Sequence, residues 1–234
     1  MPRITTIAFD ADDTLWQNEQ FFRITEDRFV ALLAGYADAP DLRQRLIASV
    51  TRNLDFYGFG SKGFALSMIE TALEVTEHRV PGSVIAELLA AGRELLAYPI
   101  ETLPHVDAAL AALEPDYRLI LVTKGDVFDQ ERKLAASGLA DYFAAVEIVS
   151  DKSAASYTRI FARHTEGAPH TVMVGNSLRS DILPALEAGA AAVYVPHELT
   201  WSWEQAEEPV HPRYARIAHL GELSTVVQQL SQQE

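Results

Sequence analysis

The 234-residue chain contains no cysteine. This excludes disulfides, thiolate nucleophiles and Cys-ligated zinc or iron–sulfur sites, so any metal must be held by oxygen or imidazole ligands. Positive charge is scarce: 19 Lys and Arg face 33 Asp and Glu, a formal charge of −14. A surplus of that sign repels phosphate backbones and anionic lipid at long range, so neither nucleic acid nor a membrane is expected as a partner. No stretch of about 18 uninterrupted apolar residues occurs, and nothing is expected to span a bilayer. Met1-Pro2-Arg3 runs straight into Ile4–Phe9 without a signal-peptide core or cleavage site, and a cytoplasmic location is expected. Also missing are GxxxxGK[ST], a GxGxxG after any strand, and a Gly-x-Ser-x-Gly elbow, which leaves no P-loop, dinucleotide or serine-hydrolase reading. The seven histidines show no metal-ligand spacing.

What is present is an ordinary globular composition, 48% hydrophobic and 22% charged, long enough for one large or two modest domains. Short β-branched runs read as buried strands at 4–9, 118–123, 145–149, 171–174 and 191–195. Helical patterns lie between them at 105–113, 128–137, 154–164 and 182–188, the last followed by Gly189 as a C-cap. Strands alternating with helices imply βαβ units, hence an α/β core with a mostly parallel sheet and helices on both faces. Residues 17–98 break the alternation, reading as helices at 21–33, 41–54, 63–75 and 83–96. This block is too long for a crossover, and we read it as an inserted helical domain interrupting a core built from 1–16 and 99–234. After Pro196 a polar loop precedes a final strand or turn and a helix at 223–230.

In a parallel sheet, ligands bind outside the carboxyl ends of the strands. Four strand ends here carry unusual groups: Asp10-Ala11-Asp12-Asp13-Thr14, Thr123-Lys124-Gly125-Asp126, Asp151-Lys152-Ser153, and Gly175-Asn176 through Asp181. Two residues apart in extended chain, Asp10 and Asp12 share a face about 6.6 Å apart, which suits one carboxylate attacking an electrophile while the other handles the leaving group's proton. Carboxylate nucleophiles serve phosphoryl transfer, and the attack of one anion on another needs Mg²⁺ and an ammonium to neutralise charge. Asp181 and Asn176 can supply oxygens, Lys152 the ammonium, and Thr123 with the Lys124-Gly125 amides donors to phosphoryl oxygens.

Phe9-Asp10-Ala11-Asp12-Asp13-Thr14-Leu15 resembles the DxDxT signature of the haloacid dehalogenase-like (HAD) hydrolases, and Thr123, Lys152 and Gly175…Asp181 resemble that family's later motifs in order and spacing. The resemblance implies a Rossmann-like core with an inserted type 1 helical cap. It implies Asp10 as nucleophile, Asp12 as general acid/base, Thr123 and Lys152 at the phosphoryl group, and Mg²⁺ held by Asp10, the Asp12 carbonyl and Asp181. Haloacid dehalogenases lack an acid at the position of Asp12, so the chain is similar to the phosphatases, acting on a small phosphorylated metabolite as a monomer or homodimer. C–halogen or phosphonate cleavage, and a non-catalytic phospho-acceptor or metal-binding module, stand as alternatives.

The bland readings are kept beside these. Asp runs are usually solvated faces, but an apolar strand feeding into Asp10 implies burial, which needs a function or a partner. Thr14 reads as a turn hydroxyl. Lys62, in the glycine-rich 57–64 segment between two helices, either reaches substrate or sits in an ordinary turn. Trp16 is hinge packing or a pocket wall, and Trp201 and Trp203 anchor their loop. One departure from the family pattern is testable: Asn176 stands where phosphatases of this kind have Asp, removing a charge beside the metal. Asn176→Asp is expected to lower the Mg²⁺ concentration needed for half-maximal activity; a titration that leaves it unchanged would remove Asn176 from the site.

Overall fold

The protein is described by a computed structural model over residues 3–232. Six strands, β1 (Thr6–Phe9), β2 (Arg118–Lys124), β3 (Ala145–Val149), β4 (Thr171–Gly175), β5 (Ala191–Tyr194) and β6 (Tyr214–Arg216), form one sheet in the order β3-β2-β1-β4-β5-β6. Every neighbouring pair is parallel. Phe9 lies level with Leu121 on one side and Val174 on the other. The strand order reverses between β1 and β4, the switch point at which a parallel sheet opens a crevice at its carboxyl edge.

Nine α-helices lie among the described residues: α1 (Glu19–Leu33), α2 (Ala39–Tyr57), α3 (Ser61–Val75), α4 (Gly82–Ala97), α5 (Val106–Leu113), α6 (Val127–Ser137), α7 (Ala154–His164), α8 (Leu183–Glu187) and α9 (Leu223–Gln232). Because side chains alternate along a strand, the sheet packs on both faces. Ile7, Phe9, Leu119, Leu121, Val172 and Val174 meet α5, α9 and Leu134 of α6. Ala8, Ile120, Val122 and Met173 meet Tyr157, Ile160 and Phe161 of α7 and Ala185 of α8. No helix among the described residues is long and apolar enough to cross a membrane.

The chain divides into two compact units, one of 1–19, 100–124 and 130–234, the other of 20–99 with 125–129. The second holds α1–α4 around Phe29, Leu33, Leu42, Leu46, Met68, Ala72 and Leu88. Asp38 caps α2 by accepting the Asp41 N–H at 3.0 Å, and Asn53 on α2 donates to Ser67 on α3 at 3.1 Å.

The helix expected over 182–188 after β4 is α8, Leu183–Glu187, but a single π-type turn, Leu178–Ile182, that the sequence reading did not include precedes it; Ser177 caps that turn, accepting the Ser180 N–H at 2.9 Å. Such wide turns recur at functional sites, and here the turn folds Asp181 back against β4. A Cβ at Gly175 would lie 2.2 Å from Asp181 Oδ2 and 2.6 Å from its Cβ, so only glycine lets this carboxylate in. Gly175→Ala is therefore expected to destabilise the protein by about 2–3 kcal/mol, whereas Gly35→Ala, with nothing within 4 Å of the new methyl, should stay within about 0.5 kcal/mol. Urea unfolding of both variants checks this; equal midpoints would contradict it.

Candidate active site

Asp10 is the first residue beyond β1, donating its N–H to the Val174 carbonyl at 2.9 Å, and its side chain is buried. Its Oδ1 accepts a hydrogen bond from Lys152 Nζ. The same ammonium donates to Asp181 Oδ1 at 2.7 Å, and Asp181 Oδ2 accepts the Ser177 N–H at 2.9 Å. Lys152 is held just ahead of α7 by a capping box in which Ser153 and Ser156 exchange bonds. Burial, reinforced by the charge of Asp181, pushes the Asp10 carboxyl up to about 7 against the pull of Lys152. Burial alone would lower Lys152, but the charges of Asp10 and Asp181 raise it, and it stays an ammonium.

A second group of atoms gathers on the other oxygen of Asp10. Thr14 Oγ1 lies 3.1 Å from Asp10 Oδ2 and 3.2 Å from Asn176 Oδ1, with one proton to give to either, and accepts the Asn176 main-chain N–H at 3.1 Å. The Asn176 side chain suits this place in two ways. With its oxygen inward, four oxygens converge from Asp10, Thr14, Asn176 and the Asp12 carbonyl. Turned over, its nitrogen donates to the Asp12 carbonyl at 3.2 Å, to Thr14 Oγ1 at 3.2 Å and to Asp10 Oδ2 at 3.1 Å. Neighbouring ligands on a Mg²⁺ octahedron lie about 3 Å apart, since each sits 2.0–2.1 Å from the ion. The oxygen-inward arrangement thus has the donor type and spacing of a hard-cation site, built from one carboxylate, an amide, a hydroxyl and a main-chain oxygen. No group of three or more His, Cys, Asp or Glu suited to a metal occurs among the described residues.

Asp12 faces elsewhere. Its carboxylate accepts from Trp16 Nε1 at 2.7 Å, Gln130 Nε2 at 2.8 Å and Lys133 Nζ at 2.9 and 3.1 Å. Burial would raise it, but the Lys133 charge and these bonds hold it below the usual carboxylate range. Asp13 adopts a left-handed φ of 58°, a conformation Asp tolerates, and caps the start of α1 by accepting the Asn18 and Glu19 N–H groups at 2.9 and 3.0 Å.

Thr123 is buried on β2, level with Ile148 of β3 and two residues past the Leu121–Phe9 pairing. Lys124 ends the strand, but its ammonium is engaged by Glu204 and by Ser180 Oγ at 2.8 Å. Lys62 opens α3 in the second unit, where it pairs with Asp126 Oδ1 at 2.9 Å. The sheet edge therefore gathers Asp10, Asp12, Thr123, Lys124, Lys152, Asn176 and Asp181; Lys62 is engaged within its own unit. Several neighbours were not singled out from the sequence. Thr14 was read as a turn hydroxyl, and Gln130 and Lys133 lie three apart on one face of α6, a spacing that was legible but without a stated partner. Tyr157 donates to the Ser180 carbonyl at 3.1 Å, its phenol raised by burial and by Asp181. Glu204 comes from the loop beyond β5.

The sequence profile of the haloacid dehalogenase-like hydrolases matches residues 4–189. Among solved structures, a haloacid dehalogenase-like family hydrolase from Xanthomonas campestris superposes with a TM-score of 0.87 at 38% identity, covering 99% of this chain and 95% of its own. A 2-haloacid dehalogenase from Pseudomonas syringae (TM-score 0.65, 22% identity, 97% and 99% covered) shares the fold. So does a predicted phosphoglycolate phosphatase from Haemophilus somnus (0.65, 16%, 97% and 100%). No curated protein matches the chain.

The raised Asp10 carboxyl sets a pH signature. Between its ordinary value of 3.8 and about 7, the folded chain holds a proton that the unfolded chain has lost, so metal-free stability falls as pH rises through that window. A cation on Asp10 must displace the proton at low pH but not above 7. Mg²⁺ is expected to raise the melting temperature more at pH 7.5 than at pH 5; equal shifts in a thermal melt would count against the site.

Proposed function

The chain belongs to the haloacid dehalogenase-like hydrolase family, and from that premise we propose that it is a Mg²⁺-dependent phosphatase that hydrolyses a small phosphate monoester through an aspartyl-phosphate on Asp10. The observation that carries the reading is the pairing of two differently equipped carboxylates: Asp10 at the oxygen cluster, and Asp12 two residues on with donors of its own. Displacing halide from carbon starts from an electrophile without phosphate's charge and expels an anion that needs no proton. Neither a hard-cation pocket nor a second carboxylate helps that reaction. Both help when a carboxylate attacks a phosphate and an alkoxide leaves.

Asp10 attacks phosphorus, forming an acyl phosphate as the bond to the leaving oxygen breaks and that oxygen takes the proton carried by Asp12. Lys152 stays between Asp10 and Asp181, offsetting charge and holding the attacking carboxylate in place. Thr123 donates its hydroxyl proton to a phosphoryl oxygen. Water then attacks the phosphorus of the acyl phosphate, giving its proton to Asp12, and the P–O bond to Asp10 breaks to release phosphate. Asp12, already held as an anion by Lys133, Gln130 and Trp16, is suited to that base role; once protonated, it returns the proton to the next leaving alkoxide. Asp10, Thr14, Asn176 and the Asp12 carbonyl would hold Mg²⁺, whose charge would shield the phosphate, while Asp181, expected from the sequence as a further ligand, has its oxygens on Lys152 and the Ser177 N–H.

Asp10→Asn and Asp10→Ala are expected to lower turnover of p-nitrophenyl phosphate by on the order of 10⁴-fold or more, and chelation should abolish it. Retained turnover in either variant, or halide release from a 2-haloalkanoate in the presence of chelator, would overturn the phosphatase reading.

A further inference from the structure

Glu204 lies in a short 3₁₀ turn, Ser202–Glu204, in the polar loop after β5. Its Oε1 accepts from Lys124 Nζ, and its Oε2 accepts from Ser177 Oγ and from Ser180 Oγ, the latter at 2.6 Å. Lys124 and Glu204 keep only 13% and 14% of their side-chain surface exposed, and both serines are buried. Lys124 ends β2, while Ser177 and Ser180 follow β4, and those two strands flank β1. A carboxylate bonded to both sides therefore crosses the carboxyl end of β1, beyond which Asp10 stands. The link to the nucleophile is continuous: Ser177 holds Asp181 through its N–H, and Lys152 joins Asp181 to Asp10.

We propose that Lys124, Ser177 and Ser180 form an anion subsite beside the nucleophile which the chain fills with its own Glu204, so that Glu204 excludes substrates bearing a carboxylate on that side. One ammonium and two hydroxyls converging on a carboxylate are what a substrate carboxylate would require. Such a substrate offers no bond that Glu204 does not already make, and a tethered group competes at an effective concentration on the order of millimolar. Glu204 is further pinned through Trp203, whose ring lies 4.5 Å from Lys124 Nζ and 4.0 Å from the Arg179 guanidinium and stacks on Trp201 at 5.5 Å. Selection is by repulsion and occupancy. Resting on the phosphatase reading, the favoured substrate is a phosphate monoester whose leaving group is uncharged or cationic on this side.

The test uses the full chain with Glu204→Ala, Glu204→Gln and the double variant Glu204→Ala/Lys124→Met. In chelator, with malonate as probe, Glu204→Ala is expected to show a saturable thermal shift in the millimolar range that wild type lacks and the double variant loses. With Mg²⁺, the ratio of kcat/KM for phosphoglycolate to that for p-nitrophenyl phosphate is expected to rise at least tenfold in Glu204→Ala. It should rise about threefold in Glu204→Gln, which keeps the volume and loses only the charge. An unchanged ratio in Glu204→Gln, or a folded Glu204→Ala that binds no malonate, would overturn the proposal. If wild type turns over neither ester, the phosphatase reading fails while the malonate result still decides the subsite.

Discussion

A single ammonium shared by two buried carboxylates organises one edge of this protein. Asp10 and Asp181 are brought within reach of each other by the β1–β4 pairing, and neither could stay charged there alone, because removing a carboxylate from water costs several kcal/mol unless it is paired. Lys152 supplies the partner for both. The same solution is used twice more at this edge, by Lys133 for Asp12 and Lys124 for Glu204. The chain has only four lysines, and three of them neutralise carboxylates here. In a protein of charge −14, the scarce positive charge is concentrated where buried acids need it. A compact ammonium suits that task, since it can divide its donors between two carboxylates.

Backbone geometry makes the arrangement possible. Gly175 leaves room for Asp181 to fold back against β4, the π-type turn carries it there, and Ser177 fixes one of its oxygens. Asp13 caps α1 with its carboxylate, whereas Asp10 and Asp12 meet Lys152 and Lys133. Thr14 joins Asp10 to Asn176. Turned over, the Asn176 amide donates to Asp10, Thr14 and the Asp12 carbonyl, bonds that a third carboxylate so close to Asp10 could not make without repulsion.

Much of this was legible along the chain. The apolar run ending in Asp10, the alternation of strands and helices and the isolated Lys152 all pointed to one sheet edge, because parallel topology forces successive strand ends together. The helical insert was readable from its apolar periodicity. Other parts were hidden: Lys133 meets Asp12 across 121 positions, and Glu204 meets Lys124 across 80. A lysine on an amphipathic helix and a glutamate in a Trp-rich loop look like ordinary surface until their partners are known.

By itself, the sequence determined an α/β scaffold whose strand ends carry carboxylates and no thiols, because residue type and local periodicity settle what a segment can form and which groups it presents. Only the tertiary structure decided the partners. Asp12 is held as an anion by Lys133, Gln130 and Trp16, Lys124 is committed to Glu204 rather than left for substrate, and Thr14 joins the oxygen cluster. A buried group's charge and reactivity are set by the partners it meets at 3 Å, and those partners come from distant parts of the chain.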